Sequence, residues 1–322
     1  MSFKSSSPFE DALADLRVSG SVLLFESYQP PWAIVVPGED ELRSLLGAGK
    51  ETRVLPFHLV LEGAFELTPK NCRSETISAD EVVICTRGDE HLMSVGRVRK
   101  PTPFAAIHLG ERPGATSDRN AGAPTKLLCG VFLLNSAPLN PLLGSLPPVL
   151  KIKTAGVSES PMLMRAAEML ALEVGGGNRN GFTAARLIEV FCAEAIAAYR
   201  RGDGAERTGW FKALDDQKIS KALAHLHREP GAHWTVELLA DTISMSPSRF
   251  AARFRETTGQ SVMSYVANWR MNVACRLLRE TEDGLAEIAQ RIGYQDVTSF
   301  SRAFKALVGQ SPSKWRGVRQ AA

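Results

Sequence analysis

Two segments near the end of the chain repeat one another. VELLADTISMSPSRFAARFRETTGQS (236–261) aligns with LAEIAQRIGYQDVTSFSRAFKALVGQS (285–311). Ala240 falls on Ala289, Phe250 and Phe254 fall on Phe300 and Phe304, and Gly259-Gln260-Ser261 falls on Gly309-Gln310-Ser311. The offset is 49 before the central turn and 50 after it, so the second turn carries one extra residue. Self-similarity at this period means one supersecondary unit used twice. Any fold for residues 215–322 must therefore be helical and hold two copies of that unit.

Each copy reads as a short helix, a tight turn and a second helix. In the first, Val236, Leu239, Ala240 and Ile243 form an apolar stripe, and the small residue at 240 lets the next helix cross closely. Ser246 is expected to cap the second helix, with Pro247 in its first position. Phe250 and Phe254, four residues apart, fix that helix inward. Its other face shows Ser248, Arg249, Arg253 and Arg255. In the second copy Ile288, Ala289 and Ile292 lie inside with Phe300 and Phe304, while Thr298, Ser301, Arg302 and Lys305 face out. This is a helix-turn-helix, whose second helix enters the DNA major groove. SVMSYVANWRMNVACRLLRE (261–280) predicts a long helix between the copies. Two readers on such a spacer suit successive major grooves, about 34–36 Å apart.

Charge agrees with this placement. The chain has 322 residues and a net charge of +3, but the part from Asp215 onward carries +4 and the part before it −1. A polyanionic partner is expected at the C-terminal end. The length gives a prior of roughly two domains. Hydrophobic residues make up 44% and charged residues 23%, which excludes a disordered or collagen-like chain. No apolar run reaches the roughly 18 residues of a membrane span, and the start MSFKSSSPFEDALADL is not a secretory leader, so a cytoplasmic protein is expected. The five cysteines (72, 85, 129, 192, 275) lack a CxxC spacing, which argues against a disulfide scaffold or zinc ribbon.

Upstream the texture changes. SVLLF, WAIVVP, FHLVLEGAFEL, EVVICTRGD and LLCGVFLL, broken by Gly and Pro, read as strands of a sandwich or barrel. Segment 110–125 reads as a mobile surface loop, and 139–152 as a short helix or turn followed by a strand. A helix starts at Ser160-Pro161 and stops at GGGN (175–178). A second, 183–201, has Leu187, Ile188, Phe191, Cys192, Ala195, Ile196 and Tyr199 on one face. That face either packs on its own domain or pairs two copies of the chain. The expected organisation is α+β and multidomain: 1–155 a strand-rich barrel or sandwich, 156–214 a helical linker or dimerisation region, and 215–322 an all-α double helix-turn-helix domain.

Residues 218–318 resemble the DNA-binding domain of AraC/XylS-type transcriptional regulators. The resemblance rests on Ala240, Phe254, Gly259, Ile288, Ala289, Gly293, Phe300, Arg302, Phe304, Gly309, Ser311-Pro312 and Trp315-Arg316. It implies base-facing positions at Ser248, Ala251 and Ala252 in the first reading helix, and at Val297, Thr298, Ser301 and Arg302 in the second. Ser246, Arg249, Arg253 and Lys305 join them on the outer faces. Family members often carry Arg where this chain has Ala252, so methyl contact with thymine or shape readout is left to the first helix. The implied partners are double-stranded DNA, RNA polymerase, a second copy of the chain, and a small-molecule or oxidant signal.

Residues 57–67, 78–93 and 127–152 resemble the cupin-like sensor domain carried by a subset of these regulators. A metal-dependent cupin enzyme supplies two His and a Glu together and then a further His. Here only His58 stands in the first motif, with Glu62 placed like the motif glutamate and His91 placed like the last His after the Gly88 turn. The incomplete set favours a regulator without catalysis over a cupin metalloenzyme fused to a DNA-binding tail. His58, His91 and Cys129 sit at the three motifs of this sensor type, and two imidazoles with a thiolate suit zinc. The alternative is two hydrogen-bonded strand histidines and a buried small cysteine.

Overall fold

The computed structural model describes residues 7–70, 72–113, 122–135, 138–154, 160–179, 181–202 and 209–317. In chain order the elements are α1 (Pro8–Ala14), β1 (Val18–Tyr28), β2 (Trp32–Val36), α2 (Glu39–Leu45), β3 (Arg53–Glu62), β4 (Ala64–Pro69), β5 (Glu75–Ser78), β6 (Glu81–Cys85), β7 (His91–Val95) and β8 (Thr102–Pro103). There follow α3 (Phe104–His108), β9 (Thr125–Leu134), α4 (Pro141–Gly144), β10 (Val149–Lys153), α5 (Pro161–Gly175), α6 (Phe182–Arg201) and α7 (Trp210–Asp215). The chain then forms α8 (Gln217–Arg228), α9 (Val236–Thr242), α10 (Pro247–Thr258), α11 (Val262–Glu280), α12 (Leu285–Arg291), α13 (Val297–Val308) and α14 (Pro312–Gly317). The centre of the expected surface loop, 114–121, lies outside the described residues.

The chain divides into two compact units. One comprises Val18–Asn135 and Leu146–Gly204. Its β-rich part is two five-stranded sheets, ordered β1-β9-β3-β6-β10 and β5-β4-β7-β2-β8. Strand runs rich in Val, Ile and Phe fill the space between them, with Trp32, Phe65, Leu67, Val83 and Val131 all buried. β3 pairs antiparallel with both β9 and β6, so His58 stands opposite Cys129 on one side and Val83 on the other.

The helical pair α5–α6 belongs to this same unit. Ser160 caps α5 by accepting the Leu163 N–H, as expected for Ser before Pro. On α6, Ile188, Phe191, Cys192, Ala195 and Ile196 are buried. Phe191 meets Phe57 and Phe132 at centroid distances of 5.5 and 6.1 Å. Burying a side chain of that size contributes ~1.5–3 kcal/mol, so the inner face of α6 is committed to its own sheet. The outer faces leave Met162, Met169 and Leu172 of α5 and Phe182 and Val190 of α6 exposed.

The other unit comprises Met1–Arg17, Ser136–Ser145 and Ala205–Ala322. Its centre is α11, with Tyr265, Val266, Trp269, Met271, Ala274 and Leu278 buried. The His227 ring stacks on Trp269 at 3.6 Å, and its Nε2 is 2.7 Å from the Tyr265 hydroxyl, which also accepts from Trp210 Nε1 at 2.9 Å. The first helix joins here too: Asn140 donates to the Ala12 carbonyl at 2.8 Å, and Asp15 accepts from Asn272 at 2.6 Å and pairs with Arg276. No helix among the described residues is long and apolar enough to cross a membrane.

Candidate nucleic-acid interface and a buried His-Cys-His group

The two repeats fold to matching geometry. In the first, α9 and α10 enclose the turn 243–246; in the second, α12 and α13 enclose 292–296, which holds the extra residue. Phe250 and Phe254 are fully buried with rings 5.6 Å apart at 70°, and Phe300 and Phe304 are fully buried with rings 5.7 Å apart at 70°. Both second helices end on a left-handed glycine, Gly259 and Gly309, whose N–H donates to the Arg255 and Lys305 carbonyl respectively. Ala240 and Ala289 are buried between the crossing helices.

On α10 the outward residues are Ser246, Ser248, Arg249, Ala252 and Arg255, all exposed, with Ala251 half-buried. On α13 they are Thr298, Arg302 and Lys305, exposed, with Val297 and Ser301 half-buried. Two expectations need correction. Ser246 occupies the N-cap position, but no backbone N–H bonds its hydroxyl; the fixed φ of Pro247 starts the helix instead. Arg253 is paired to Asp216, the N-cap of α8, rather than standing free. Partial burial alone would raise the Asp216 carboxyl, but the Arg253 hydrogen bond, with the Ile219 and Lys218 N–H groups, holds it below its usual range. Sequence reading missed the cap of α13: Asp296 accepts the Ser299 N–H at 2.8 Å.

The histidines of the β unit come together. His58 Nε2 and His91 Nε2 are 2.8 Å apart, and both side chains are buried. His91 Nδ1 donates to the Asp89 carbonyl at 2.9 Å, which fixes its tautomer and leaves Nε2 with a lone pair. His58 then donates through Nε2, and its Nδ1 is buried without a hydrogen-bond partner. Burial lowers both imidazoles, His58 well below its usual value, so each is neutral near pH 7.

The thiol in this group is Cys85, not Cys129. One ligand atom from each of His58, Cys85 and His91 lies within 4.8 Å of the others. Cys129 faces His58 across β9 and is buried in the same core, yet it is outside the cluster. The reason is the β6–β7 turn. Gly88, at φ 66°, reverses the chain, and His91 returns opposite Cys85 from the second sheet. A Cβ at 88 would meet the Val54 carbonyl at 2.8 Å, so this turn requires glycine. The C-x5-H spacing around Gly88 is the sequence signal for the pair. Burial pushes the Cys85 thiol up to about 12, with Asp89 and Cys72 adding to the shift. Two neutral imidazoles and one thiol can hold a metal ion, which would draw off the thiol proton on binding. His91 has the outer hydrogen bond that steadies a ligand histidine, and His58 lacks one. Glu62 is not part of the group; it ends β3 at the surface, 3.7 Å from Lys126.

A family model described as Cupin matches residues 7–199, and one described as Helix-turn-helix domain matches residues 239–317. The chain is similar to a putative AraC-like transcription regulator of Streptomyces lividans, 29% identical over 272 residues, covering 82% of this chain and 87% of that protein. A second such regulator, from Streptomyces antibioticus, is 28% identical over 319 residues, covering 96% and 98%. The HTH-type transcriptional regulator AlkR of Acinetobacter baylyi is 26% identical over 310 residues, covering 94% and 96%. Among solved structures, the DNA-binding domain of AdpA in complex with a target DNA is 27% identical, covers 32% of this chain and 92% of that one, and has a TM-score of 0.31. These full-length relatives are regulators, not enzymes.

Proposed function

We propose, from the chain's membership of the AraC family of transcriptional regulators, with an N-terminal cupin domain and a C-terminal helix-turn-helix domain, that α10 and α13 read successive major grooves of one DNA duplex while the cupin domain receives the controlling signal. The observation that carries this reading is the doubled unit itself, two helices anchored by the same phenylalanine pair and each presenting an exposed polar and basic face. On α13, Thr298, Ser301 and Arg302 are the base readers, Val297 makes apolar contact, and Lys305 meets phosphate. On α10, Ser246, Ser248 and Arg249 approach the backbone and the base edges. Ala251 and Ala252 offer methyl groups to thymine or leave the work to DNA shape. Arg253, held by Asp216, braces α10 from behind.

Gel shifts on the DNA upstream of the protein's own gene test this directly. Specific binding that falls steeply with salt is expected; no binding at low salt refutes the reading. Arg302→Ala is expected to lose ~1–3 kcal/mol of discrimination between the specific site and random duplex. An equal loss on both duplexes would reduce Arg302 to a phosphate contact. The exposed apolar residues of α5 and α6 support pairing with a second copy, and the family implies action in the cytoplasm with RNA polymerase at the promoter.

His58, Cys85 and His91 favour zinc as the resident ion, and an oxidant that attacks the thiolate would then release it. Elemental analysis of the purified protein should find about one zinc per chain, falling to near zero in His91→Ala. A metal-free protein that stays metal-free after zinc loading and desalting would leave the histidines as a buried hydrogen-bonded pair.

A further inference from the structure

The open edge of the cupin domain carries a cleft outside the histidine group. It has a volume of about 380 Å³ and is lined by β1, by α3 and the residues after it, and by the α5–α6 connection. That is enough for a small molecule. Leu24 and Ile107 give it apolar walls continuous with the barrel core. Two guanidinium groups, Arg112 and Arg179, line it as well.

Tyr28 is the informative residue. It is 6% exposed and lines the cleft, and its hydroxyl makes no hydrogen bond among the described residues. The hydroxyl oxygen is not one of the buried polar atoms that lack a partner, so it opens onto the cleft, where a ligand's acceptor can reach it. Burial raises the phenol, Cys129 and Glu26 add to this, and Arg112 and Arg179 oppose it, so it stays a neutral O–H donor close to both cations. Arg179 touches Glu26 at 3.3 Å and the Phe25 carbonyl at 3.4 Å, both long for such bonds. Arg112 has no partner among the described residues. Glu26 and the exposed Glu111 are the acidic groups on the same lining.

We infer that this cleft binds a small organic carboxylate with an apolar body. The carboxylate accepts from the Tyr28 hydroxyl and from Arg112, and draws Arg179 away from Glu26. The apolar body lies against Leu24 and Ile107. Two arginines and a phenol suit a planar anion, and a neutral molecule would leave Arg112 as it is. Because Arg179 sits between α5 and α6 and bonds β1 through Glu26, occupation would exchange that direct tether between the helical pair and β1 for one that runs through the ligand. The inference deepens the regulator reading by naming the class of signal, and rests on that reading only for its consequence at DNA.

Calorimetry on the full chain tests it, with hexanoate, cyclohexanecarboxylate and 3-phenylpropanoate as probes against the three matching alcohols. At least one acid is expected to bind ~10-fold or more tightly than its alcohol. Tyr28→Phe, which keeps the ring, should weaken that acid by ~5–10-fold, and Arg112→Gln by ~10-fold or more, with unfolding midpoints unchanged. No binding by any acid, equal binding of acid and alcohol, or affinity unmoved by both substitutions would overturn the proposal. Gel shifts of the unliganded protein separate the two readings. Retained DNA binding without acid binding removes only the carboxylate site; acid binding without DNA binding removes only the regulator reading.

Discussion

Asp15→Ala is expected to destabilise the DNA-binding unit by about 3 kcal/mol. The Asp15 side chain is 3% exposed. One oxygen accepts from Asn272 Nδ2 at 2.6 Å and the other from Arg276. Asn272 is itself 1% exposed, and its Oδ1 already lacks a partner. Removing the carboxylate strands a buried amide and leaves a half-buried guanidinium without its anion, and unsatisfied buried groups cost more than the bond they lose. Burial raises the Asp15 carboxyl even though Arg276 pulls it down, so the interaction only partly offsets the loss of water. Asp15→Asn, which keeps an acceptor for one partner, should therefore cost less, about 1–2 kcal/mol. Urea unfolding followed by tryptophan fluorescence reads this unit selectively, because Trp210, Trp234, Trp269 and Trp315 belong to it and only Trp32 lies elsewhere. A shift below about 0.5 kcal/mol in Asp15→Ala would mean the first helix is not fastened to α11. A fragment beginning at residue 215 lacks this contact, together with the Ser145 hydroxyl that accepts the Trp210 N–H at 3.1 Å.

That fastening is invisible in the sequence for a physical reason. Asp15 and Arg276 are 261 residues apart, and a single long-range ion pair leaves no periodicity to read. The reading units were legible because each landmark is demanded by local geometry and then demanded again. A small residue stands where the helices cross, a phenylalanine pair at one-turn spacing holds the second helix, and a glycine ends it left-handed. The extra residue inferred from the offset is the difference between the turns 243–246 and 292–296. The long strands β1, β3 and β9 were legible from their Val, Leu and Phe runs, whereas ETIS in β5 and the two residues of β8 are too short and polar to signal. His58 and His91 were found by motif position. Cys129 is favoured on the same ground, its place at the third motif of the resembling sensor type, and motif position carries nothing about packing between sheets. β6 and β7 lie in different sheets, so the approach of Cys85 to His91 depends on how the barrel closes.

The paired turns also set up the second large effect. Gly293 and Ser244 hold equivalent places in the repeat, and both take positive φ, 82° and 53°. A Cβ at 293 would lie 2.6 Å from the Gly231 carbonyl oxygen and 2.9 Å from Arg270 Nη2. Arg270 cannot easily yield, since it donates to the Pro230 and Ala232 carbonyls at 2.9 and 2.7 Å. Gly293→Ala thus adds left-handed strain of about 1–2 kcal/mol to an overpacking cost of about 1–3 kcal/mol. A total near 3 kcal/mol is expected, and α13 should lose its angle to α12, so specific DNA binding should fall further than the unfolded fraction explains. Ser244→Gly runs the other way. It relieves similar strain while adding the roughly 0.5–1 kcal/mol entropy cost of glycine, so stability should hold or rise by under about 1 kcal/mol. If Gly293→Ala unfolds within about 0.5 kcal/mol of the parent chain, the turn is not the rigid corner on which the angle of the second reader depends.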